Sequence, residues 1–173
     1  MSSYAIERLS ADHDRAAFTS GLDSVDRYLR ETARGHSEKG VSTTRVLVGI
    51  DAAPPKPILG FFTLSPILIE AKPWPEAPKG LPNQPVPAIL LGRLAVAATH
   101  QGKGLGAMLV ATACQIATET IALTSGIGLV VDAAHPQAAS FYASFGFKVV
   151  SPGGLRRFLP AKSLKTGAEI QRE

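Results

Sequence analysis

Residues 101–106 read Gln101-Gly102-Lys103-Gly104-Leu105-Gly106, three glycines at alternate positions around a lysine and a leucine. An apolar run from Ile89 to Val96 precedes them, and Leu105, Met108, Leu109 and Ile116 follow near i, i+3, i+4 and i+11, the spacing of a helix. Strand, glycine-rich loop and helix in that order offer backbone N–H groups and a helix N-terminus to a phosphate. Glycine lets the backbone approach an anion with no Cβ in the way, and Lys103 adds a charge at the rim. A phosphorylated ligand is the chemistry to expect. An ordinary strand–helix turn is the other reading of the same residues.

Spacing narrows the ligand. A P-loop requires Gly-x-x-x-x-Gly-Lys-Ser/Thr, and no such run occurs. A dinucleotide fingerprint requires Gly-x-Gly-x-x-Gly and an acidic residue about 20 residues on. Here the glycines alternate, and Glu119 and Asp132 stand at the wrong distances. Nucleotide hydrolysis and hydride transfer therefore rank low.

The elements that must carry this loop are readable. Tyr4–Leu9 alternates as a strand, Asp12–Ala17 reads as the start of a short helix, and Leu22–Gly35 reads as a second helix. Thr43–Ile50 and Ile58–Leu64 form a hairpin across the proline-rich turn 52–57. Between Pro66 and Pro87 stand seven of the thirteen prolines and the only tryptophan, Trp74. That excludes a segment that is mostly helix or central strand, leaving Ile67–Ala71 as an edge strand. Ile89–Val96 is the central strand, Gly104–Leu123 a long helix, Ile127–Asp132 a buried strand and Pro136–Phe145 a short helix. Phe147–Val150 and Leu155–Leu159 close the fold as an antiparallel pair. One domain over residues 1–165, with a polar tail at 166–173, suits a chain of 173 residues.

Composition excludes several classes. At 45% hydrophobic and 18% charged residues the chain is globular rather than disordered. No apolar run approaches the ~20 residues of a membrane span, and the N-terminus lacks a signal-peptide core. A single cysteine, Cys114, excludes an internal disulfide and reads as a small apolar helix residue rather than a nucleophile. A cytoplasmic protein with no membrane partner is expected. The net charge of +4 is mild, but Arg27, Arg30 and Arg34 recur at i, i+3 and i+7, with Lys39 and Arg45 following. Arg156 and Arg157 form a second basic spot. These positions read either as a solvated face or as a footprint for a polyanion.

Gln101–Gly106 resembles the Gln/Arg-x-x-Gly-x-Gly/Ala loop of the GNAT N-acetyltransferases, and Phe141-Tyr142-Ala143-Ser144-Phe145-Gly146-Phe147 resembles that family's Tyr-x-x-x-Gly-Phe signature. The stretch from Phe18 to Leu29, Leu91–Val96 and the closing Arg157-Phe158-Leu159-Pro160 are similar to one branch, the GNAT toxins of type II toxin–antitoxin systems. The resemblance implies an α/β (α+β) GNAT fold: a mixed, mostly antiparallel central sheet with a splayed pair of parallel strands and flanking helices. It implies acetyl-CoA as co-substrate, no metal, and a donor site at Leu94, Ala95, Val96, Gln101, Gly102, Lys103, Gly104, Leu105, Gly106 and Ala107. It further implies acetylation of the α-amine of aminoacyl-tRNA, a ribbon-helix-helix antitoxin as protein partner, and a toxin homodimer.

Acetyl transfer from a thioester needs a neutral amine, a positioned carbonyl and a proton for the departing sulfur. Tyr142 is the natural acid, because a phenol with a pKa near 10 stays protonated at pH 7; packing among Phe141, Phe145 and Phe147 is its other reading. Strand 89–96 contains no carboxylate, which suits an α-amine near ~7.7–8.0 better than a lysine near ~10.4. Backbone N–H groups around Leu94–Val96 would meet the oxyanion. Arg93 interrupts an apolar strand, where a charge needs a partner: either tRNA or a substrate phosphate, or a structural salt bridge. Arg27, Arg30, Arg34 and Arg93 are thus the candidate substrate-binding residues, and they argue against a cationic polyamine or aminoglycoside acceptor. His100 is a phosphate contact or a surface histidine, Asp132 a base at a strand end or else a helix-capping or solvated residue, and His135 occupies a place where many GNAT enzymes carry asparagine. Two further activities stay open: acetylation of a protein N-terminus or small amine, and a non-catalytic acyl-CoA-binding regulatory module.

Overall fold

A computed structural model describes residues 3–164 of the chain; the polar tail expected at 166–173 lies outside the described residues. The strands are β1 (Tyr4–Arg8), β2 (His13–Asp14), β3 (Thr43–Gly49), β4 (Lys56–Pro57), β5 (Gly60–Ile69), β6 (Val86–Val96), β7 (Gly128–Asp132), β8 (Lys148–Val149) and β9 (Arg156–Pro160). The helices are α1 (Asp23–Glu31), α2 (Ala33–Glu38), α3 (Leu105–Leu123) and α4 (Pro136–Ala143). Seven strands form one sheet in the order β1-β3-β5-β6-β7-β9-β8. The pairs β1–β3, β3–β5, β7–β9 and β8–β9 are antiparallel, whereas β6 and β7 are parallel. The parallel ladder runs only from Ile89↔Leu129 to Leu91↔Val131, while β6 continues to Val96. This is the mixed, mostly antiparallel sheet that the resemblance implied.

The residues gather into two compact units, 3–65 with 93–109 and 66–92 with 110–164. In the first, Val46, Val48 and Phe61 of the sheet pack with Phe18, Tyr28, Leu29 and Ala33, all within a fully or almost fully buried core. Helix α1 turns its apolar residues to that core and carries Asp23 and Asp26 in its first turn, where the helix dipole favours negative charge. In the second, Trp74 meets Phe158 edge-on at 4.6 Å among Ile69, Val86, Ala88 and Val130. Small side chains at Ala111, Ala113, Cys114 and Ala117 are all buried along α3, so that helix packs closely on its apolar face.

Three expectations from the sequence are corrected. Asp12–Ala17 forms no helix: His13–Asp14 pairs in parallel with Lys56–Pro57, and His13, Glu7 and Lys56 join in one polar cluster. Distant partners outweigh the weak local helix signal. The helix expected over Leu22–Gly35 is divided at Thr32 (φ −122°, ψ −37°). Arg15 Nη1 donates to the Arg30 carbonyl at 2.9 Å, diverting an acceptor that an unbroken helix would use itself. Ile67–Ala71 is no separate edge strand, since β5 runs unbroken from Gly60 through Pro66 to Ile69. Pro87 likewise lies inside β6.

Candidate functional site

In the glycine loop, Gly102 and Gly104 have φ of +79° and +80°. A Cβ at either position would meet no heavy atom within 4 Å. Glycine is therefore required by left-handed backbone rather than by crowding within the protein. The Gly104 carbonyl accepts the first helical bond, from Met108 N–H at 3.3 Å. The N–H groups of Leu105, Gly106 and Ala107 precede it in the first turn of α3, where no intrahelical acceptor exists for them. Leu105 contributes backbone only, because its side chain lies in the core at 2% exposed. Lys103 is exposed at the rim. The loop can hold an anion of the pyrophosphate type by oriented N–H dipoles.

The Gln101 side chain is engaged within the protein. Its Nε2 donates to the Ser20 carbonyl at 2.9 Å and to the Val96 carbonyl at 3.1 Å. The side chain braces the loop against the end of β6, and the Val96 carbonyl is occupied by it. Leu94, Ala95 and Val96 are half-buried, with Ala95 packed on the first unit's core.

Arg93 forms no salt bridge among the described residues, the structural alternative that the sequence offered. Its guanidinium lies 3.6 Å from the centroid of the Tyr28 ring, a cation–π stack, and no carboxylate pairs with it among the described ion pairs. Tyr28 is itself fixed, its hydroxyl hydrogen-bonded to Ser42 Oγ at 2.9 Å and His36 Nδ1 at 3.1 Å. The residue remains exposed, so the platform presents a held guanidinium to solvent. Arg27 is exposed on α1. Arg30 donates to the Phe18 carbonyl at 3.3 Å, and Arg34 reaches Glu38 at 3.4 Å on α2. The second basic spot is largely spoken for: Arg156 forms a two-bond pair with Asp132 at 2.6 and 2.9 Å, and Arg157 donates to the Gly154 and Arg156 carbonyls.

In the second unit Tyr142 is 5% exposed on α4, edge-on to Phe141 and Phe147. Burial pushes its phenol well above the ordinary value, so the protonated form, the one an acid needs, is reinforced. The ring contacts show the core-aromatic packing, and the same placement keeps the phenol protonated. Asp132, exposed at the end of β7, pairs with Arg156 rather than capping a helix. His135 caps α4, its Nδ1 accepting from Ala138 N–H at 3.1 Å. His100 Nδ1 bonds Thr99 Oγ1 at 2.8 Å. Burial pushes the Cys114 thiol up to about 12, which suits a packing residue. Among the described residues no His, Cys, Asp and Glu cluster is placed to hold a metal ion.

The first unit thus unites the loop, the end of β6, Arg93, Arg27, Arg30 and Arg34; Tyr142 belongs to the second. Sequence reasoning missed Tyr28 as the seat of Arg93, and Asp26 and Ser20 behind Gln101. All three stood in the Phe18–Leu29 stretch, but helical spacing alone does not reveal a buried carboxylate.

Residues 51–149, more than half of the chain, match the model of the acetyltransferase (GNAT) domain. The chain belongs to the GNAT acetyltransferase family. Its GNAT relatives include the tRNA-acetylating toxin of Mycobacterium tuberculosis, 32% identical over 95% of this chain and 97% of that one. A crystal structure of a tyrosine-to-phenylalanine mutant of KacT superimposes with a TM-score of 0.87 at 28% identity, covering 95% of this chain and 98% of that one. AtaT complexed with acetyl-methionyl-tRNAfMet gives 0.84 at 29% identity, with 94% and 97% covered. AtaTR bound with acetyl-CoA gives 0.82 at 29% identity, with 95% and 98% covered. As a GNAT enzyme the chain is an N-acetyltransferase that draws on an acyl-CoA donor.

Proposed function

We propose that this GNAT enzyme transfers the acetyl group of acetyl-CoA to the α-amine of an aminoacyl-tRNA and so acts as a translation-blocking toxin. The reading rests on one observation above the rest: Gly102 and Gly104 stand in left-handed backbone just before the first-turn N–H groups of Leu105, Gly106 and Ala107, which we read as an anion cradle, within a chain similar over nearly its full length to a tRNA-acetylating toxin. The cradle takes the pyrophosphate of acetyl-CoA. Backbone groups of Leu94–Val96 orient the thioester, and N–H donors there meet charge developing on its oxygen. The neutral α-amine attacks the carbonyl, forming the C–N bond as the C–S bond breaks. Tyr142 passes its phenolic proton to the departing sulfur, and the ammonium proton is released to water.

Arg93, held on Tyr28 with its outer face exposed, contacts the tRNA 3′ end; exposed Arg27, with Arg30 and Arg34, adds sequence-independent attraction for the phosphates. A cytoplasmic location, a homodimer and a ribbon-helix-helix antitoxin complete the reading. It is supported by relatives such as AtaT, seen bound to the C-terminus of the antitoxin AtaR and acetyl-CoA.

Incubation with labelled acetyl-CoA and, in parallel, charged tRNA, uncharged tRNA and peptide tests the reading. Label is expected on charged tRNA alone; label on uncharged tRNA, or only on peptide, overturns it. Tyr142→Phe is expected to bind acetyl-CoA as the wild type does and to turn over about 10²–10⁴-fold more slowly. Unchanged turnover would remove Tyr142 from the chemistry.

A further inference from the structure

Asp26 is a carboxylate only 2% exposed. Both of its oxygens accept from Ser20 N–H at 3.0 Å, Oδ1 accepts from Ser20 Oγ at 2.6 Å, and Oδ2 accepts from Thr19 Oγ1 at 3.4 Å. Burying a carboxylate is unfavourable unless its hydrogen bonds are made, and here all of them go to one dipeptide. The opposite edge of that dipeptide faces the donor loop. The Ser20 carbonyl accepts from Gln101 Nε2 at 2.9 Å, and the Thr19 carbonyl accepts from Ala98 N–H at 2.8 Å. Gln101 Nε2 then closes on the Val96 carbonyl at 3.1 Å. A continuous chain of hydrogen bonds therefore leads from Asp26 through residues 19–20 to both ends of segment 96–101.

We propose that Asp26 is a positioning residue for the acetyl-CoA loop, acting through Ser20 and Gln101 to hold the entrance of the pyrophosphate cradle in its binding geometry. The proposal rests on the reading of residues 101–107 as that cradle. Apolar packing by Phe18 and Leu29 already anchors this part of the chain to the core. It has no directional preference, however, and cannot fix where two carbonyl groups point. Hydrogen bonds to a charged acceptor do. Fixing the loop before the ligand arrives lowers the ordering that binding must otherwise supply, so its loss weakens donor binding rather than the chemical step.

The test compares the full chain with Asp26→Asn, Ser20→Ala, Gln101→Ala and the two double variants that join Gln101→Ala to each of the others. Calorimetry gives the CoA Kd, steady-state kinetics give KM and kcat, and thermal melts report folding. Asp26→Asn keeps the size of the side chain but sets an NH2 group against donors. It is expected to raise the CoA Kd and the KM for acetyl-CoA roughly tenfold, the scale of one charge-assisted bond. The value of kcat at saturating acetyl-CoA stays within about twofold, and Asp26→Asn has little further effect once Gln101 is alanine. A lowered melting temperature with wild-type Kd and KM would overturn the proposal by reducing Asp26 to a fold-stabilising group. Should Asp26→Asn not fold, Ser20→Ala carries the same test: weaker CoA binding that is absorbed by Gln101→Ala supports the proposal, and strictly additive effects overturn it. Failure of the wild-type chain itself to bind CoA would instead refute the cradle reading on which the proposal stands.

Discussion

One methyl group added at Gly60 should disturb the end of β6 directly. Gly60 is buried at the start of β5, and its backbone lies outside the left-handed region, so alanine meets no intrinsic conformational barrier. The obstacle is space. A Cβ there would stand 3.0 Å from Leu109 Cδ1, 3.1 Å from the Ala95 carbonyl oxygen and 3.7 Å from Val96 Cα. The Leu109 methyl is the far end of a side chain and can turn away. The Ala95 carbonyl is backbone and can yield only if the strand moves by a few tenths of an ångström. Overpacking of this kind costs about 1–3 kcal/mol, against a gain of about 0.5–1 kcal/mol from replacing a strand glycine. A net loss of up to about 2.5 kcal/mol follows, or up to roughly 10 °C in Tm for a chain of this size. The shift falls on Ala95 and Val96, so the KM for acetyl-CoA should rise together with the loss of stability. Gly49→Ala is the control, since its Cβ would meet only Ala52 Cβ at 3.9 Å. Urea unfolding and acetyl-CoA titrations of both variants make the comparison. Equal stability and equal KM for the two would refute the packing argument.

Two other outcomes follow from perturbed groups. Cys114 is fully buried and its thiol is pushed up to about 12, so a disulfide reagent at pH 8 should leave the native chain untouched and titrate one thiol after denaturation; stoichiometric reaction of the native chain would contradict that burial. Hydrogen bonds from Lys56 and then His13 hold the Glu7 carboxyl below the ordinary value of 4.5. A depressed folded pKa contributes stability above the unfolded value, which is lost as pH falls through the folded one. The urea midpoints of wild type and Glu7→Gln should therefore differ at pH 7 and converge below about pH 4.5. A gap independent of pH would rule out the ion cluster as its source. Glu7 is one-third exposed, so solvent screening keeps the effect modest.

The sequence by itself determined the parts that depend on neighbours along the chain. Gly102 and Gly104 announce a loop only glycine can form, and the spacing from Leu105 onward announces the helix it opens. The β-branched, alternating run Thr43–Ile50 announces a strand, found as Thr43–Gly49. These signals are local because a φ value, a helical turn and a pleat are each set within a few residues. Tertiary structure decided every partner that lies far away. Gln101 reads as one residue of the glycine loop, and only the fold shows that the Ser20 carbonyl, 81 residues earlier, takes its amide. Arg93 reads as a charge in want of an anion until the Tyr28 ring supplies a platform at 3.6 Å. Asp132 reads as a base, a cap or a solvated residue until Arg156, its register partner across β7 and β9, pairs with it. The same long-range pairing turned Asp12–Ala17 from a helix start into strand β2 and let β5 run through Pro66. Side-chain hydrogen bonds and ring contacts carry no periodicity. Only the folded chain could show which polar groups are engaged within the protein and which are left exposed.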